Sequence, residues 1–336
     1  MSRYLPAEWE PQAFVQLTWP NTDTDWQPIL ERTIKCYCTI AYEIAQREPL
    51  VVVARDRHEV ESVLDADTLR NTTIVEAPIN DTWARDHGFI TVRDGNRRIA
   101  LDFQFNGWGL KFAADRDNRI NRTLFDELLK NEGFAYENHL SWVLEGGSIE
   151  SDGRGTLLTT SECLLSPNRN GAHSRDDIER YLRQCFGAER IMWLNHGYLN
   201  GDDTDSHIDT LARLAPNDTI IYVQCTDASD EHFHELSLME QEIKQLRTAD
   251  GRQYHLVGLP MCSPKYADGQ RLPATYANFL YVNGALLVPT YNAPEDDAAL
   301  AIFRATFPDR EVVGIDCSPL IEQHGSLHCV TMQYPR

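Results

Sequence analysis

Four short stretches of this 336-residue chain gather residue types that folding alone does not ask for: Trp83 to Gly88 (WARDHG), Leu144 to Ser148 (LEGGS), Gly201 to Thr210 (GDDTDSHIDT) and Gly325 to Gln333 (GSLHCVTMQ). The last sets a thiol beside an imidazole, which suggests a Cys-His pair. Its alternation of polar and apolar residues reads as a strand, however. Cys329 then shares a face with Leu327 and Thr331, while His328 leaves on the other face with Val330. A base for Cys329 must come from elsewhere. His207-Ile208-Asp209 is the candidate, because in an extended segment residues i and i+2 lie on one face and set an imidazole beside a carboxylate.

The spacing supports a shared site. Asp86 to Glu145 is 59 residues, Glu145 to His207 is 62, and His207 to Cys329 is 122, two steps of 61. Each falls at the same phase of a repeat, and an empty fourth slot falls near Asp268, inside the polar loop Cys262 to Tyr276. Taken singly, each residue has a plainer explanation. Trp83, Arg85 and Asp86 read as a core tryptophan beside a surface ion pair. Glu145 reads as a strand-end carboxylate before a glycine turn, His207 as a satisfied structural histidine, and Cys329 as a small apolar filler. Their common phase is what favours chemistry.

The elements that must position these residues follow from apolar periodicity. Helical spacing appears at Leu30/Ile34/Tyr37/Ala41/Ile44, Ile120/Leu124/Leu128, Ile178/Leu182/Cys185, Phe233/Leu236/Met239/Ile243/Leu246 and Leu300/Phe303/Phe307. Most of these helices lead into a polar residue or two and then a short apolar strand, as in REPLVVVAR, AERIMWLN, RQYHLVGLP and REVVGIDC. From Ile191 to Leu256 to Val312 the steps are 65 and 56 residues, a degenerate repeat of a strand-rich α/β unit. No linker or low-complexity tract divides residues 1–336, so a single domain is expected. Gly251 to Gln253 and Ala267 to Arg271 read as rim turns or loops.

Composition excludes several classes. Lys+Arg number 31 against 51 Asp+Glu, a net charge of −20 that argues against a nucleic-acid surface and suits a small cationic ligand or plain solubility. No stretch is apolar enough for a membrane span, and the charged, proline-bearing start lacks a signal-peptide core, so a cytoplasmic location is expected. The eight cysteines are dispersed without a CxxC and read as reduced core residues, Cys329 apart. His232-Phe233-His234 opens an amphipathic helix on which the two rings diverge, with no further ligand at metal spacing. GDDTDSHIDT lacks the calcium-loop pattern, and GGSIESDGRGT lacks the phosphate-loop lysine and the dinucleotide spacing.

Over nearly its whole length the chain resembles the guanidine-modifying (pentein) superfamily, and within it the agmatine deiminases. The motifs are PAEWEPQAFVQLTWP, WARDHGFI, LEGGS, ECLLSPNRN, GDDTDSHIDTLARL, ANFLYVNGALLVPTYNAPEDDAAL and GSLHCVTMQ. The resemblance implies an α/β fold, a five-module α/β propeller with pseudo-fivefold symmetry. It also implies no cofactor, no metal and a homo-oligomeric assembly. By the same resemblance Cys329 is the nucleophile and His207 the acid/base. Asp86 and Asp209 hold the guanidinium, Glu145 orients the histidine, and Trp83 lines the pocket. Ser206 and His324 depart from the family pattern, standing where many members have glycine.

The chemistry suits these residues. A guanidinium is planar, charged and rich in N–H donors, which two carboxylates match. Clamped over a thiol, its central carbon is open to attack; His207 would protonate departing ammonia, and water would then release a ureido product from a thiouronium adduct. The resemblance implies agmatine as substrate and N-carbamoylputrescine as product, in polyamine biosynthesis. An arginine-specific relative would need a basic residue for the α-carboxylate, and none is identifiable. The Asp202/Asp203 turn or the loop around Asp268 is expected to face the far amine. The alternatives are an arginine or peptidylarginine deiminase, an amidinotransferase, a Cys-His-Asp acyl-transfer hydrolase and a non-catalytic guanidine-binding protein.

Overall fold

The computed structural model describes residues 3–336. Helix Arg175–Phe186 shows how local sequence sets an element. Ser174 and Asp177 form a reciprocal capping box at its start, and Ile178, Leu182, Cys185 and Phe186 turn one face inward. The helix stops at Gly187, whose φ of +63° places it in the left-handed region, and a Cβ there would collide with the Arg3 carbonyl.

Five sheets repeat one plan, in which two antiparallel strands are followed by a helix that returns the chain to a third strand parallel to the second. The sets are Ile90–Asp94, Arg97–Gln104 and Phe134–Val143; Ile149–Ser151, Thr156–Thr160 and Arg190–Leu194; Ala212–Ala215, Thr219–Gln224 and His255–Pro260; and Leu280–Val282, Ala285–Thr290 and Glu311–Asp316. The fifth joins the two ends of the chain. Thr331–Pro335 pairs antiparallel with Gln12–Thr18, and Leu50–Ala54 and Thr72–Glu76 follow in parallel.

The returning helices Leu30–Ala45, Asp117–Leu124, Arg175–Phe186, Phe233–Gln245 and Asp296–Thr306 are the five that periodicity predicts. Parallel pairing demands such crossovers, because a tight turn cannot return a chain to the same direction. The segment LVVVA is buried at every residue, as expected of an interior strand covered on both faces.

One feature of the repeat positions the chemistry. In each unit a short turn comes immediately before the first strand of the sheet: Ala84–His87, Gly146–Ser148, Ile208–Leu211, the turn at 275–278, and the turn at 327–330. The turns are tied to one another. The Gly147 N–H donates to Asp86 Oδ1 at 3.2 Å, Thr275 Oγ1 to the Thr210 carbonyl at 2.9 Å, His328 N–H to Asn278 Oδ1 at 2.9 Å, and Arg85 N–H to the Cys329 carbonyl at 3.2 Å.

Two expectations about local structure are corrected here. Cys329 is not in a strand: residues 327–330 form a turn, with Thr331 N–H donating to the His328 carbonyl, and the strand starts only at Thr331. His207-Ile208-Asp209 is not extended throughout either. His207 is extended (ψ 138°), but the chain coils into a helical turn from Ile208. Gly187→Ala is expected to lower the melting temperature by the equivalent of about 1 kcal/mol or more. An unchanged thermal midpoint would contradict the close approach to Arg3.

Candidate active site

Three of the five turns, through Asp86, Thr210 and Cys329, reach a cavity of about 140 Å³ whose lining also includes Trp83, Trp108, Phe112 and Asp203. Cys329 and Asp86 are 4% and 3% exposed, whereas Phe112 at the rim is 46% exposed. The Asp81 carboxylate accepts the indole N–H of Trp83 at 2.9 Å and that of Trp26 at 3.1 Å, fixing the aromatic wall. Trp83 lies against Gly325, where a Cβ would overlap the ring.

Cys329 Sγ lies 3.4 Å from Asn278 Oδ1 and 3.9 Å from Asp209 Oδ2. Asn278 Oδ1 also accepts the backbone N–H groups of His328 and Cys329, at 2.9 and 3.3 Å, so its orientation is fixed by donors that cannot reverse. Burial pushes the thiol well above its ordinary pKa, and the charges of Asp209 and Asp86 push it the same way. Both causes favour the thiol over the thiolate near neutral pH.

Asp86 accepts the Trp108 indole N–H at 2.9 Å on Oδ2 and the Gly147 N–H at 3.2 Å on Oδ1. Burial first, then Asp209 and Glu145, hold its pKa well above the carboxylate range. Among the described residues no arginine or lysine pairs with it, and the nearest basic group is His207 Nδ1 at 3.7 Å. Asp209 is fully buried. Burial presses its pKa up, but the hydrogen bond from His328 Nδ1 to Oδ2 at 2.7 Å and the charge of His328 bring it below its ordinary value. Its Oδ1 has no hydrogen-bond partner within the protein.

Convergence of these groups is recorded by Gly147. A Cβ built there would lie 2.6 Å from His207 Nδ1, 3.0 Å from Asp86 Oδ1 and 3.1 Å from Asp209 Oδ2. The second glycine of LEGGS is therefore required by the approach of three side chains rather than by a turn conformation. Both His207 ring nitrogens lack protein partners. Burial lowers the His207 pKa to about 3, with Arg169 and Lys111 pushing the same way and Asp209 opposing. That shift favours the neutral ring near pH 7.

Glu145 lies close to His207 without a hydrogen bond to it. Arg169 Nε reaches both Glu145 oxygens, at 2.9 and 3.0 Å, while its Nη1 pairs with Asp205 at 2.6 Å and its Nη2 donates to the Thr204 carbonyl at 2.8 Å. Two groups of metal-type ligand atoms lie within 4.8 Å of one another, Glu145/Cys163/His207 and Glu8/Glu150/His328. In each an arginine already serves the carboxylates: Arg169 the first, Arg213 the second.

All six residues expected from the sequence thus lie in or beside one site. Several others were missed: Asn278, Trp108, Arg169 and His328. The fourth slot of the repeat is filled by Asn278, not by the loop near Asp268, which folds as the hairpin Tyr266–Ala267/Gln270–Arg271. Counting onward to the strand Leu280–Val282 would have found it. Of the acids expected to face the far amine, Asp203 of the Asp202/Asp203 turn lines the cavity, together with Asp25 and Asp81, whereas Asp202 is occupied by Thr204 and by the Ser206 N–H and Asp268 does not line it. Ser206 and His324 have φ of 60° and 67°, so each takes up the left-handed backbone that glycine adopts most easily.

A repeated α/β fold with a thiol, an imidazole and buried acids at one end defines a cysteine-centred site of the guanidine-modifying kind. The chain belongs to the Porphyromonas-type peptidyl-arginine deiminase family, whose model matches residues 4–335. It is similar to the agmatine deiminase of Stutzerimonas stutzeri, 33% identical over 99% of this chain and 95% of that one. It is also similar to the structure of a cysteine-to-serine variant of C. jejuni agmatine deiminase with substrate bound, at 35% identity, TM-score 0.92, and 99% and 96% coverage. A Porphyromonas gingivalis structure, provisionally called an arginine deiminase, matches at 52% identity, TM-score 0.94, and 99% and 98% coverage.

Gly147→Ala is expected to fold yet lose at least about 100-fold in kcat/KM, because small displacements of reacting groups cost that much; near-native kinetics would refute the convergence. Alkylation of Cys329 by iodoacetamide is expected to accelerate only in the alkaline range in the free protein, and to shift to lower pH when a guanidinium analogue neutralises the carboxylates. A thiol pKa below neutrality that ignores the analogue would contradict the electrostatics.

Proposed function

We propose that the chain hydrolyses agmatine to N-carbamoylputrescine and ammonia through a thiouronium adduct on Cys329. The observation that carries this reading is the buried Asp86, matched by no arginine or lysine among the described residues and facing a buried thiol and a second carboxylate with a free oxygen. A guanidinium supplies the missing charge. Its N–H groups meet Asp86 and Asp209 Oδ1, and Trp83 and Trp108 wall the flat cation and its alkyl chain.

With the cation bound, the two carboxylates no longer oppose ionisation of the thiol. Cys329 sulfur attacks the guanidinium carbon, its proton passes to the neutral His207, and His207 gives that proton to the nitrogen that leaves as ammonia. The adduct keeps the positive charge. Water, deprotonated by His207, then adds to the same carbon and the C–S bond breaks. Of the two protons the water gives up, one returns to the sulfur and the other leaves through His207 to make ammonium of the ammonia, so the ureido product is neutral. Glu145, held by Arg169, acts here as the fixed acid beside His207, which it orients by charge rather than by a direct hydrogen bond.

Agmatine is favoured over arginine by the rim. Asp25, Asp81 and Asp203 line the cavity and no lysine or arginine does, so a distal ammonium is attracted and an α-carboxylate repelled. We infer further that the five sheets close as a five-module propeller in a single domain. Four hydrogen bonds between turns and the pairing of Thr331–Pro335 with Gln12–Thr18 support that closure. No helix is long and apolar enough to cross a membrane.

A colorimetric assay for ureido product across agmatine, arginine and a blocked arginine peptide tests the function. Turnover is expected with agmatine, with release of ammonia, and none with Cys329→Ala. Preferred turnover of arginine or the peptide would transfer the reading to those substrates. Asp203→Asn is expected to raise KM for agmatine about threefold to tenfold with kcat little changed. An unaltered KM would remove Asp203 from amine recognition.

A further inference from the structure

His328 is 1% exposed, and both of its ring nitrogens face carboxylates. Nδ1 lies 2.7 Å from Asp209 Oδ2, and Nε2 lies 2.8 Å from Glu8 Oε1. Two unprotonated acceptors so close would repel, so each contact holds a proton. Two protons are therefore shared among three groups. Either the ring is an imidazolium between two carboxylates, or it is neutral and one carboxyl carries a proton.

The surrounding charges favour the imidazolium. Arg213 bonds to Glu8 and Glu150 and approaches His328 Nε2 at 3.1 Å. Arg85 pairs with Glu8 at 3.1 Å, and its Nε reaches the His328 carbonyl at 3.4 Å. Glu8 bridges the two arginines and the ring, and Gln333 donates to it at 3.0 Å. Burial raises the Glu150 pKa to about 8, so the two carboxylates that touch the ring decide the matter. Burial presses both up, but His328 and the arginines bring Glu8 well below its ordinary value and His328 brings Asp209 below its own, which leaves the second proton to the ring. Cys329, Asp86 and His207 face Asp209 from the cavity side and add no fixed positive charge. Burial first, then Arg213 and Arg85, hold the ring's pKa below its ordinary value against Glu8 and the Asp209 hydrogen bond, so the assignment of both protons rests on the two short contacts.

We infer that His328 is a positioning residue for guanidinium binding: protonated between Glu8 and Asp209, it holds Asp209 ionised by its Oδ2 and leaves Oδ1 turned toward the substrate. This rests on the reading of Asp209 as one half of the guanidinium clamp. Glu8 has a side chain 19% exposed and lines a second cavity with Arg85 and Gln333, so the relay reaches a second pocket.

Three measurements test the role. In wild-type protein with ¹⁵N-labelled histidine, the His328 signals, assigned by their loss in His328→Asn, are expected to show both nitrogens protonated at pH 7. A neutral tautomer overturns the inference whether or not the protein turns over agmatine. In steady-state kinetics, His328→Asn keeps a donor toward Asp209 but loses the charge. It is expected to raise KM for agmatine about tenfold with a smaller change in kcat.

Removing the positive charge raises the pKa of Asp209, so the acid limb of kcat/KM moves to higher pH. Glu8→Gln, at the partly exposed end, is expected to move the same limb the same way by a smaller amount, and it decides the matter if His328→Asn does not fold. Folded variants whose KM and acid limb match wild type overturn the inference. A wild type that yields no ureido product from any guanidine overturns instead the proposed function, leaving the NMR result to judge His328.

Discussion

The site depends on like charges gathered where water cannot screen them. Asp86 and Asp209 lie within reach of one thiol, with Glu145 close behind, and among the described residues no lysine or arginine pairs with Asp86. Two unit charges about 4 Å apart interact by about 4 kcal/mol at the effective dielectric of a protein interior, so such a group is costly until a cation enters. The surroundings reduce the cost selectively. Trp108 and the Gly147 N–H stabilise Asp86, His328 stabilises Asp209, and Arg169 neutralises Glu145. What remains uncompensated is a single position over Cys329, and a guanidinium is the common biological cation flat enough to fill it with hydrogen bonds at its edges.

The fold can assemble this cluster because it offers one equivalent position five times. A turn before the first strand of each sheet carries Asp86, the Glu145–Gly147 pair, His207 with Asp209, Asn278, and Cys329 in succession. Each unit contributes a different functional group to a common backbone position, so the chemistry varies while the scaffold repeats. The hydrogen bonds between turns fix the spacing that long flexible side chains could not hold.

Much of the architecture is legible in the sequence, because helix periodicity and apolar strand runs are local. The five helices and the strands of REPLVVVAR, AERIMWLN, RQYHLVGLP and REVVGIDC are found where the pattern puts them. Four of the turn positions follow from spacing alone. The fifth did not, because phase counting placed it at Asp268 and an inserted hairpin moved Asn278 ten residues onward. The conformation of His207-Ile208-Asp209 was misread because a single turn of helix is too short to show a period. Arg169, Trp108 and His328 have meaning only through partners in other units: His328 meets Asp209 across 119 residues and Glu8 across 320, and no local pattern encodes such pairs.

The pairing of Thr331 with Leu17 has a consequence for the order of folding. The sheet that follows Cys329 is stitched from segments at opposite ends of the polypeptide, and contacts of such separation carry the largest loop-closure penalty. Individual helix-and-strand units can nucleate early from neighbouring residues, whereas the seam that seats the sulfur forms late. Partly folded species therefore expose an ordinary, unpositioned cysteine, and the acidic enclosure that governs its ionisation arises only when the two ends of the chain have paired.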